Sequence, residues 1–359
     1  MPPTLEDIAQ ATGFDKSTVS VTLRNLPRAQ RFSEDTRKRI HAAAQKLGYR
    51  PNFFAQQLSE QKTRLLMLCL NYLRDPFAMM VAEGFESRAS ARGYRVLITA
   101  LQERENPFAL HHDILGLQGI PAMAVVGGAS TKLSERAINQ LAAEKVKIVL
   151  VNRRVADPRI AHISADDYFG GESIAKHIYG QGLREVWVVQ GIEGPAMDAR
   201  LKAFRNVARE FGAPEPTELI CTGLQWMNSA AHVVRERLKT AARPPQAILT
   251  VGDVLAVGAS QALAEAGLAV GRDVALTGYD GGIYCDCVFP PLTTVRLPMA
   301  GMGSAAADSL IEMLEQPSAP VPNIVLPVEV LIRASSTITP ANQPTTQPTT
   351  HPGGAPASR

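Results

Sequence analysis

Residues 4–25 read TLEDIAQATGFDKSTVSVTLRN, a stretch too short for a domain and unlike the strand-rich sequence that follows it. Leu5 and Ile8 share one apolar face of a first helix, and Gly13 can end that helix in a tight turn. Asp15 is a suitable N-terminal cap for a second helix. Helix, turn and helix at this spacing predict a helix-turn-helix motif, whose second helix enters the DNA major groove. Two small packed helices without a ligand are the alternative.

The second predicted helix has two unlike faces. Val19 and Leu23 lie four residues apart and are expected to point inward. The opposite face consists of small residues and one cation, which would allow the helix to approach base edges closely. The residues predicted to meet DNA on this helix are Lys16, Ser17, Thr18, Ser20 and Val21.

A third helix is predicted from SEDTRKRIHAAAQKLGY, at residues 33–49. Ser33 is a suitable N-terminal cap, and the acidic residues after it favour the first turn of a helix. Ile40, Ala44 and Leu47 are expected to form the inward face. The first 50 residues therefore read as a small helical headpiece.

The charge of the chain is unevenly distributed. Residues 1–64 contain 11 Lys and Arg against 6 Asp and Glu, whereas the remaining residues contain 26 against 28. A basic head on a slightly acidic body favours a polyanion as the partner of the head. Four cysteines are too few for a disulfide scaffold, and the chain lacks both a signal-peptide pattern and a membrane-spanning apolar run. We therefore expect a cytoplasmic protein that does not associate with membranes.

The long central part alternates short apolar strands with helical stretches. This alternation predicts an α/β fold of parallel sheets with helices on both faces, divided into two similar halves around 65–160 and 164–292. Ligands of such sheets bind at the carboxyl ends of the strands, so two facing halves would form a cleft. The predicted strands are 65–71, 94–100, 122–127, 147–152, 186–191, 247–252 and 274–280.

Motifs of enzymes and metal sites are missing from the sequence. It contains no Gly-Lys dipeptide of a P-loop, no H-E-x-x-H and no G-x-S-x-G. Cys285 and Cys287 form a lone C-x-C pair, which is a weak metal signal. We predict no catalytic residues, no metal and no cofactor.

Several segments in this order resemble the lactose-repressor/galactose-repressor (LacI/GalR) family of bacterial transcription regulators. They are TLEDIAQATGFDKSTVS, LGYRPNFFAQQL, DPFAMMVAEGFESRASARGY, SADDYFGG, VGDVLAVGASQALAEAGL, GYDG and PPLTTVR, spread from about residue 4 to about residue 336. The resemblance implies a helix-turn-helix headpiece joined to a core like that of periplasmic sugar-binding proteins. It also implies a homodimer on a near-palindromic double-stranded operator, and a small effector held between two doubly wound subdomains. The expected function is therefore an effector-controlled repressor.

The resemblance also divides the chain. We assign the headpiece to 1–50 with the motif at about 4–24, a hinge to 51–64, and the core to 65–336. The core is expected to comprise an N-subdomain of 65–162 and 294–321 and a C-subdomain of 163–293 and 322–336. A proline at every fourth position from 340 predicts that the tail, 337–359, is disordered.

Further DNA contacts follow from the family pattern. Ala55 and Leu58 match hinge residues that enter the minor groove in the family, although a core contact is the alternative for Leu58. Many members carry Arg where this chain has Val21, which can touch a thymine methyl but cannot read guanine. The loop at 26–32 is longer than in many family members. Its cations either contact phosphates or belong to a solvated turn. The additional predicted DNA contacts are Thr4, Arg28, Arg31, Asn52 and Gln56.

Effector contacts are carried over in the same way. Hydroxyl partners beside aromatic walls suit a sugar or nucleoside better than a lipid. Asp166 and Asp253 have helix capping as the alternative, and Gly252 replaces an Asn common in the family. The predicted effector-binding residues are Phe77, Asn152, Arg200, Trp226, Asp253 and Asp280. A soluble sugar-binding or sugar-modifying α/β protein with a non-functional head is the alternative function.

Overall fold

In the computed structural model, the chain forms two compact units, residues 1–63 and 64–359. The first unit is helical, and the second alternates strands with helices. The residues that the structure describes are 3–25, 27–50, 64–100, 120–127, 135–191, 194–223 and 225–338.

The headpiece unit consists of three α-helices and one short 3-10 helix around a small core. At the start of the first helix, the Thr4 side chain accepts a hydrogen bond from the Asp7 N–H, and the Asp7 carboxylate accepts one from the Thr4 N–H. Gly13 ends this helix with a φ of 71°, a conformation that favours glycine. Ile8 and Ile40 are fully buried in the core. The elements are α1 (Leu5–Thr12), α2 (Lys16–Leu23), the 3-10 helix (Pro27–Arg31) and α3 (Glu34–Leu47).

Three details of the headpiece differ from the sequence predictions. Asp15 occupies the cap position of α2, but its side chain makes no capping hydrogen bond. Leu47 lies in the last turn of α3 and is 40% exposed, so it does not contribute an inward face. The predicted loop at 26–32 contains a helical turn, which buries Ala29 beneath the exposed Arg28 and Arg31.

The first half of the core is built on a six-stranded parallel sheet. Its strands are β1 (Leu65–Leu70), β2 (Arg95–Ala100), β3 (Ala122–Val126), β4 (Lys147–Val151), β5 (Ala161–Ala165) and β11 (Asn323–Leu326). They are arranged in the order β11-β5-β4-β3-β1-β2. Strands β1, β3 and β4 are apolar runs buried along almost their whole length, as central parallel strands require. The helices described in this half are α4 (Pro76–Ala91), α5 (Glu135–Ala143) and α10 (Met299–Glu315).

The second half of the core repeats the design on a smaller sheet. Its strands are β6 (Val186–Gln190), β7 (Thr217–Ile220), β8 (Ala247–Thr250) and β9 (Ala275–Thr277), parallel and in the order β7-β6-β8-β9. All seven strands predicted from the sequence are present in the two sheets. The helices of this half are α6 (Asp167–Gly180), α7 (Pro195–Glu210), α8 (Trp226–Thr240) and α9 (Asp253–Glu265).

The strand pairing places the subdomain boundaries differently from the sequence prediction. Strand β5 pairs with β4, so the predicted boundary at residue 163 falls inside a strand of the first sheet. Strand β11 pairs with β5, so residues 323–326 belong to the first half rather than the second. The short antiparallel pair β10 (Thr294–Arg296) and β12 (Glu329–Leu331) lies outside both sheets.

Two glycines allow α4 and α10 to pack with their backbones in contact. A Cβ atom built on Gly84 would stand 2.0 Å from the Ala300 carbonyl oxygen, and one built on Gly303 would stand 2.0 Å from the Val81 carbonyl oxygen. Neither position can hold a larger side chain unless the helices separate. This contact fixes α10, from late in the chain, onto the first half of the core.

Two sets of predictions lie outside the described residues. One is the hinge, with Asn52, Ala55, Gln56 and Leu58, and the other is most of the Pro-rich tail. Among the residues that the structure describes, no helix is both long enough and apolar enough to cross a membrane.

Candidate functional site

None of the predicted DNA-facing residues of α2 is buried. Val19 is fully buried, whereas Lys16 and Ser17 are exposed. Thr18, Ser20 and Val21 are half-buried. The Thr4 hydroxyl donates to the Asp7 carboxylate at 2.9 Å, so in this structure it is part of the α1 cap.

The core contains a cavity of about 480 Å³ at the carboxyl ends of its strands. Asn71 follows β1 and Asn152 follows β4 in the first half. Val251 follows β8 and Asp280 lies beyond β9 in the second. The wall therefore receives side chains from both halves of the core. It includes all six residues predicted from the sequence, namely Phe77, Asn152, Arg200, Trp226, Asp253 and Asp280.

Arg200 is the central cation of this wall, and it is only 1% exposed. Its Nε donates to Asp167 Oδ1 at 2.8 Å, and its Nη1 donates to the Val251 carbonyl oxygen at 2.6 Å. The guanidinium carbon lies 3.6 Å from the centre of the Tyr279 ring. Burial acts to lower the pKa of Arg200, but the charges of Asp167, Tyr279 and Asp280 raise it above the usual value. Arg200 is thus held as a permanent cation within the protein.

Asp280 presents a carboxylate to the cavity from an unusual backbone position. Its φ of 112° lies in a region that non-glycine residues rarely adopt, and such strain clusters at functional sites. Its Oδ1 lies 3.4 Å from Arg200 Nη1, and 27% of its side chain is exposed. Burial raises the pKa of Asp280 well above its usual value, and neighbouring carboxylates add to the effect while Arg200 opposes it.

Asp253 has a different role from the helix cap considered from the sequence. It is the first residue of α9, its predecessor Gly252 holds the cap position, and its side chain is buried. Its Oδ1 accepts a 2.6 Å hydrogen bond from the Thr294 hydroxyl, and its Oδ2 accepts one from the Gly282 N–H. Burial raises the pKa of Asp253 to about 7. Asp166, by contrast, caps α6 as expected by accepting from the Phe169 N–H.

Aromatic and amide groups complete the wall. Phe77 lies at the start of α4 in the first half, and Trp226 begins α8 in the second. Asn152 has a φ of 56°, and its buried Oδ1 has no hydrogen-bond partner among the described residues. A bound hydroxyl or amine could supply that missing donor.

Several further residues of the site were not singled out from the sequence. Asp75 caps α4 by accepting from the Phe77 N–H, and a capping Asp before a helix-starting Pro is a readable local signal. Asp167 adjoins the cap Asp166, and its pairing with Arg200 depends on tertiary structure. Tyr72 and Tyr284 also line the cavity.

Two family models and several known proteins are similar to this chain. The family described as bacterial regulatory proteins, lacI family, matches residues 4–52, and a periplasmic binding protein-like domain matches residues 175–336. The HTH-type transcriptional regulator DegA of Bacillus subtilis (strain 168) is 27% identical over 338 residues, which cover 94% of this chain and 99% of DegA. The chain thus carries a LacI-family headpiece domain and a periplasmic-binding-protein-like core, and it is homologous to repressors of the LacI/GalR type. It is therefore a DNA-binding transcriptional regulator rather than an enzyme.

Further proteins are similar to the chain in sequence or in fold. The ribose operon repressor of Escherichia coli (strain K12) is 26% identical over 88% of this chain and 94% of its own length. The Lac repressor bound to ONPG in the repressed state is 25% identical and superimposes with a TM-score of 0.82 over 94% of this chain and all of that one. A Lac repressor dimer bound to operator and the anti-inducer ONPF has the same TM-score of 0.82 at 24% identity.

Proposed function

We propose that this regulator is a cytoplasmic repressor that binds a near-palindromic operator as a homodimer. A small sugar or sugar derivative in the core cavity would control its operator affinity. Relatives support the dimer, the operator and the small effector in this proposal, since the Lac repressor is solved as a dimer on operator and with ONPG. Another relative carries ribose in the name of the operon it represses.

The observation that carries the effector proposal is the position and chemistry of the cavity. Its wall joins Phe77 and Asn152 from the first half to Arg200, Trp226 and Asp280 from the second. Convergent polar groups beside flat apolar walls are typical of sites for small polyhydroxylated ligands. A ligand that contacts both halves binds one relative position of the halves more tightly than another. It can change operator affinity only by that difference, typically about 1–3 kcal/mol.

We assign operator contacts by the family pattern and by exposure on the headpiece. Lys16, Ser17, Thr18, Ser20 and Val21 of α2 would face base edges, and Arg28, Arg31 and Thr4 would approach phosphates. The hinge residues Asn52, Ala55, Gln56 and Leu58 would approach the minor groove, where an apolar wedge unstacks base steps.

Operator binding should be strongly dependent on salt. Each neutralised phosphate contributes about −0.9 to the slope of log K against log salt concentration, so a dimer with several cations per headpiece should give a steep negative slope. Replacing Arg28 and Arg31 together with Gln should make the slope shallower. Fluorescence anisotropy with a duplex selected from a random library measures the slope.

Arg243→Gln is the control, because Arg243 lies outside the headpiece, in the second unit of the chain, and its side chain is 73% exposed. We expect it to leave the slope unchanged. A flat salt dependence of the wild-type protein would contradict operator binding as proposed.

Val21→Arg should change which operator half-site is preferred. The substitution exchanges a methyl contact for a side chain that can read guanine, and one good bidentate pair contributes about 1–3 kcal/mol of discrimination. Binding to a panel of half-sites measures the preference. Ala42→Arg adds the same charge at an exposed position on α3 and should change the affinity for every half-site by the same factor. If Val21→Arg also shifts all half-sites equally, Val21 does not contact bases.

A further inference from the structure

Among the described residues, the cavity wall has more acidic than basic groups. Asp75, Asp253 and Asp280 are its described carboxylates, and Arg74 and Arg200 are its described cations. Arg74 is an exposed residue whose guanidinium lies over the Tyr72 ring, with 5.8 Å from its carbon to the ring centre. Of these two cations, Arg200 alone is buried.

The positive charge of Arg200 is not available to neutralise the wall carboxylates, because Arg200 is already paired with Asp167. The Nε and Nη2 atoms of Arg200 both lie 2.8 Å from Asp167 Oδ1. The 3.4 Å separation from Arg200 Nη1 to Asp280 Oδ1 exceeds the usual N–H···O range of about 2.7–3.2 Å. This long contact is the single hydrogen bond to the Asp280 carboxylate among the described residues. Asp280 therefore keeps most of its acceptor capacity for a group in the cavity.

The surroundings of this carboxylate suit a cation in two further ways. The backbone holds Asp280 firmly, because its N–H donates to the Val295 carbonyl oxygen at 2.9 Å and its carbonyl oxygen accepts from the Leu297 N–H at 3.0 Å. Aromatic rings from both halves, including Phe77 and Trp226, line the same cavity. The faces of aromatic rings attract ammonium groups as well as stacking on apolar ring surfaces.

We infer that the effector carries a positively charged amine beside its hydroxyl groups, as an amino sugar does, and that its ammonium pairs with Asp280. This inference rests on the proposed function of the cavity as the effector site. A neutral sugar would bring no counter-charge, so Asp280 would remain difficult to ionise in its buried position. An anionic sugar, such as a uronate or a sugar phosphate, would make its ionisation harder still.

An amine ligand should release protons when it binds. The titratable groups around Asp280 are Arg200, Asp167, Asp253, Asp75 and Tyr279, and burial raises the pKa of Asp280 and brings that of Asp253 to about 7. At neutral pH Asp253 is therefore partly protonated, and burial favours the protonated form of Asp280. A bound ammonium lowers those pKa values. The affinity for the amine should therefore rise with pH over the range in which these carboxyls lose their protons. A neutral sugar brings no charge and should release no protons.

Matched pairs of ligands test the inference on the full-length protein. D-glucosamine, D-galactosamine and D-mannosamine are each compared with the parent hexose, by calorimetry at neutral pH in two buffers of different ionisation enthalpy. We expect at least one amine to bind about tenfold tighter than its parent, because hydrogen bonds between ions are roughly twice as strong as neutral ones. The buffer dependence of its enthalpy should show proton release. Tighter binding of a parent hexose, or no binding of any amine at millimolar concentration, would overturn the inference.

Asp280→Asn should remove the preference for the amine and its proton release, lowering amine affinity about tenfold. Asp286→Asn is the control, because it makes the same charge change at a side chain that is 82% exposed. Equal losses in both variants would overturn the assignment of Asp280. Operator binding by the effector-free protein, measured separately, shows whether the proposed function itself fails.

Discussion

Arg200→Met is expected to lower the free energy of unfolding by about 3–5 kcal/mol, because it strands a buried carboxylate without its partner. Arg200 and Asp167 are 1% and 5% exposed, so water cannot replace the lost ion pair. Urea denaturation at neutral pH measures the loss. The deficit should shrink as pH falls, since a stranded buried carboxyl has a raised pKa and binds a proton in the folded state.

Two further variants make this prediction specific. Adding Asp167→Leu to Arg200→Met should recover much of the stability, because replacing both partners of a buried pair with apolar residues is often neutral. Arg243→Met breaks the exposed pair with Glu185 and should cost at most about 1 kcal/mol. If Arg200→Met costs no more than Arg243→Met, the buried pair does not stabilise the fold as described.

Gly303→Ala is expected to destabilise the core by about 1–3 kcal/mol, because the added methyl overlaps the Val81 carbonyl oxygen and forces two helices apart. Gly301→Ala, two residues away on the same helix, should have the opposite sign. Its Cβ would meet only Pro298, at an ordinary 3.6 Å, and Ala exceeds Gly in helix propensity by up to about 1 kcal/mol. Thermal unfolding of both variants measures the difference. Equal shifts in the two variants would contradict the close packing of α4 and α10.

Six of the seven strands that the sequence predicts are buried along almost their whole length, and the seventh, β2, is an apolar run at the edge of its sheet. Strand β4 reads KIVLV and is buried along almost its whole length, whereas β5 reads AHISA with alternating exposure and was not predicted. Strand β11 was also missed, because it is short and its partner β5 precedes it by more than 150 positions in the sequence. Subdomain boundaries depend on such distant pairings, so local patterns could not place them.

The sequence named part of the cavity wall but none of the contacts within it. Family motifs and the strand-end rule together named six residues that the structure brings to one cavity. The pairing of Arg200 with Asp167 joins different elements and leaves no local trace in the sequence. The same holds for Asp253, whose partners Thr294 and Gly282 lie far along the chain. Charge balance inside the cavity could therefore be judged only in three dimensions.

The late position of α10 and β11 in the chain affects how the protein is made on the ribosome. Strands β6 to β9 of the second half lie within residues 186–277, so that sheet can form as soon as one continuous stretch has emerged. The first half cannot finish then, although its synthesis begins earlier, because residues 299–315 and 323–326 are still missing. Until they emerge, the face of α4 that carries Gly84 and the edge of β5 remain uncovered on the nascent chain. Unpaired strand edges and apolar faces are where folding intermediates aggregate, so this half is the part most in need of chaperones during translation.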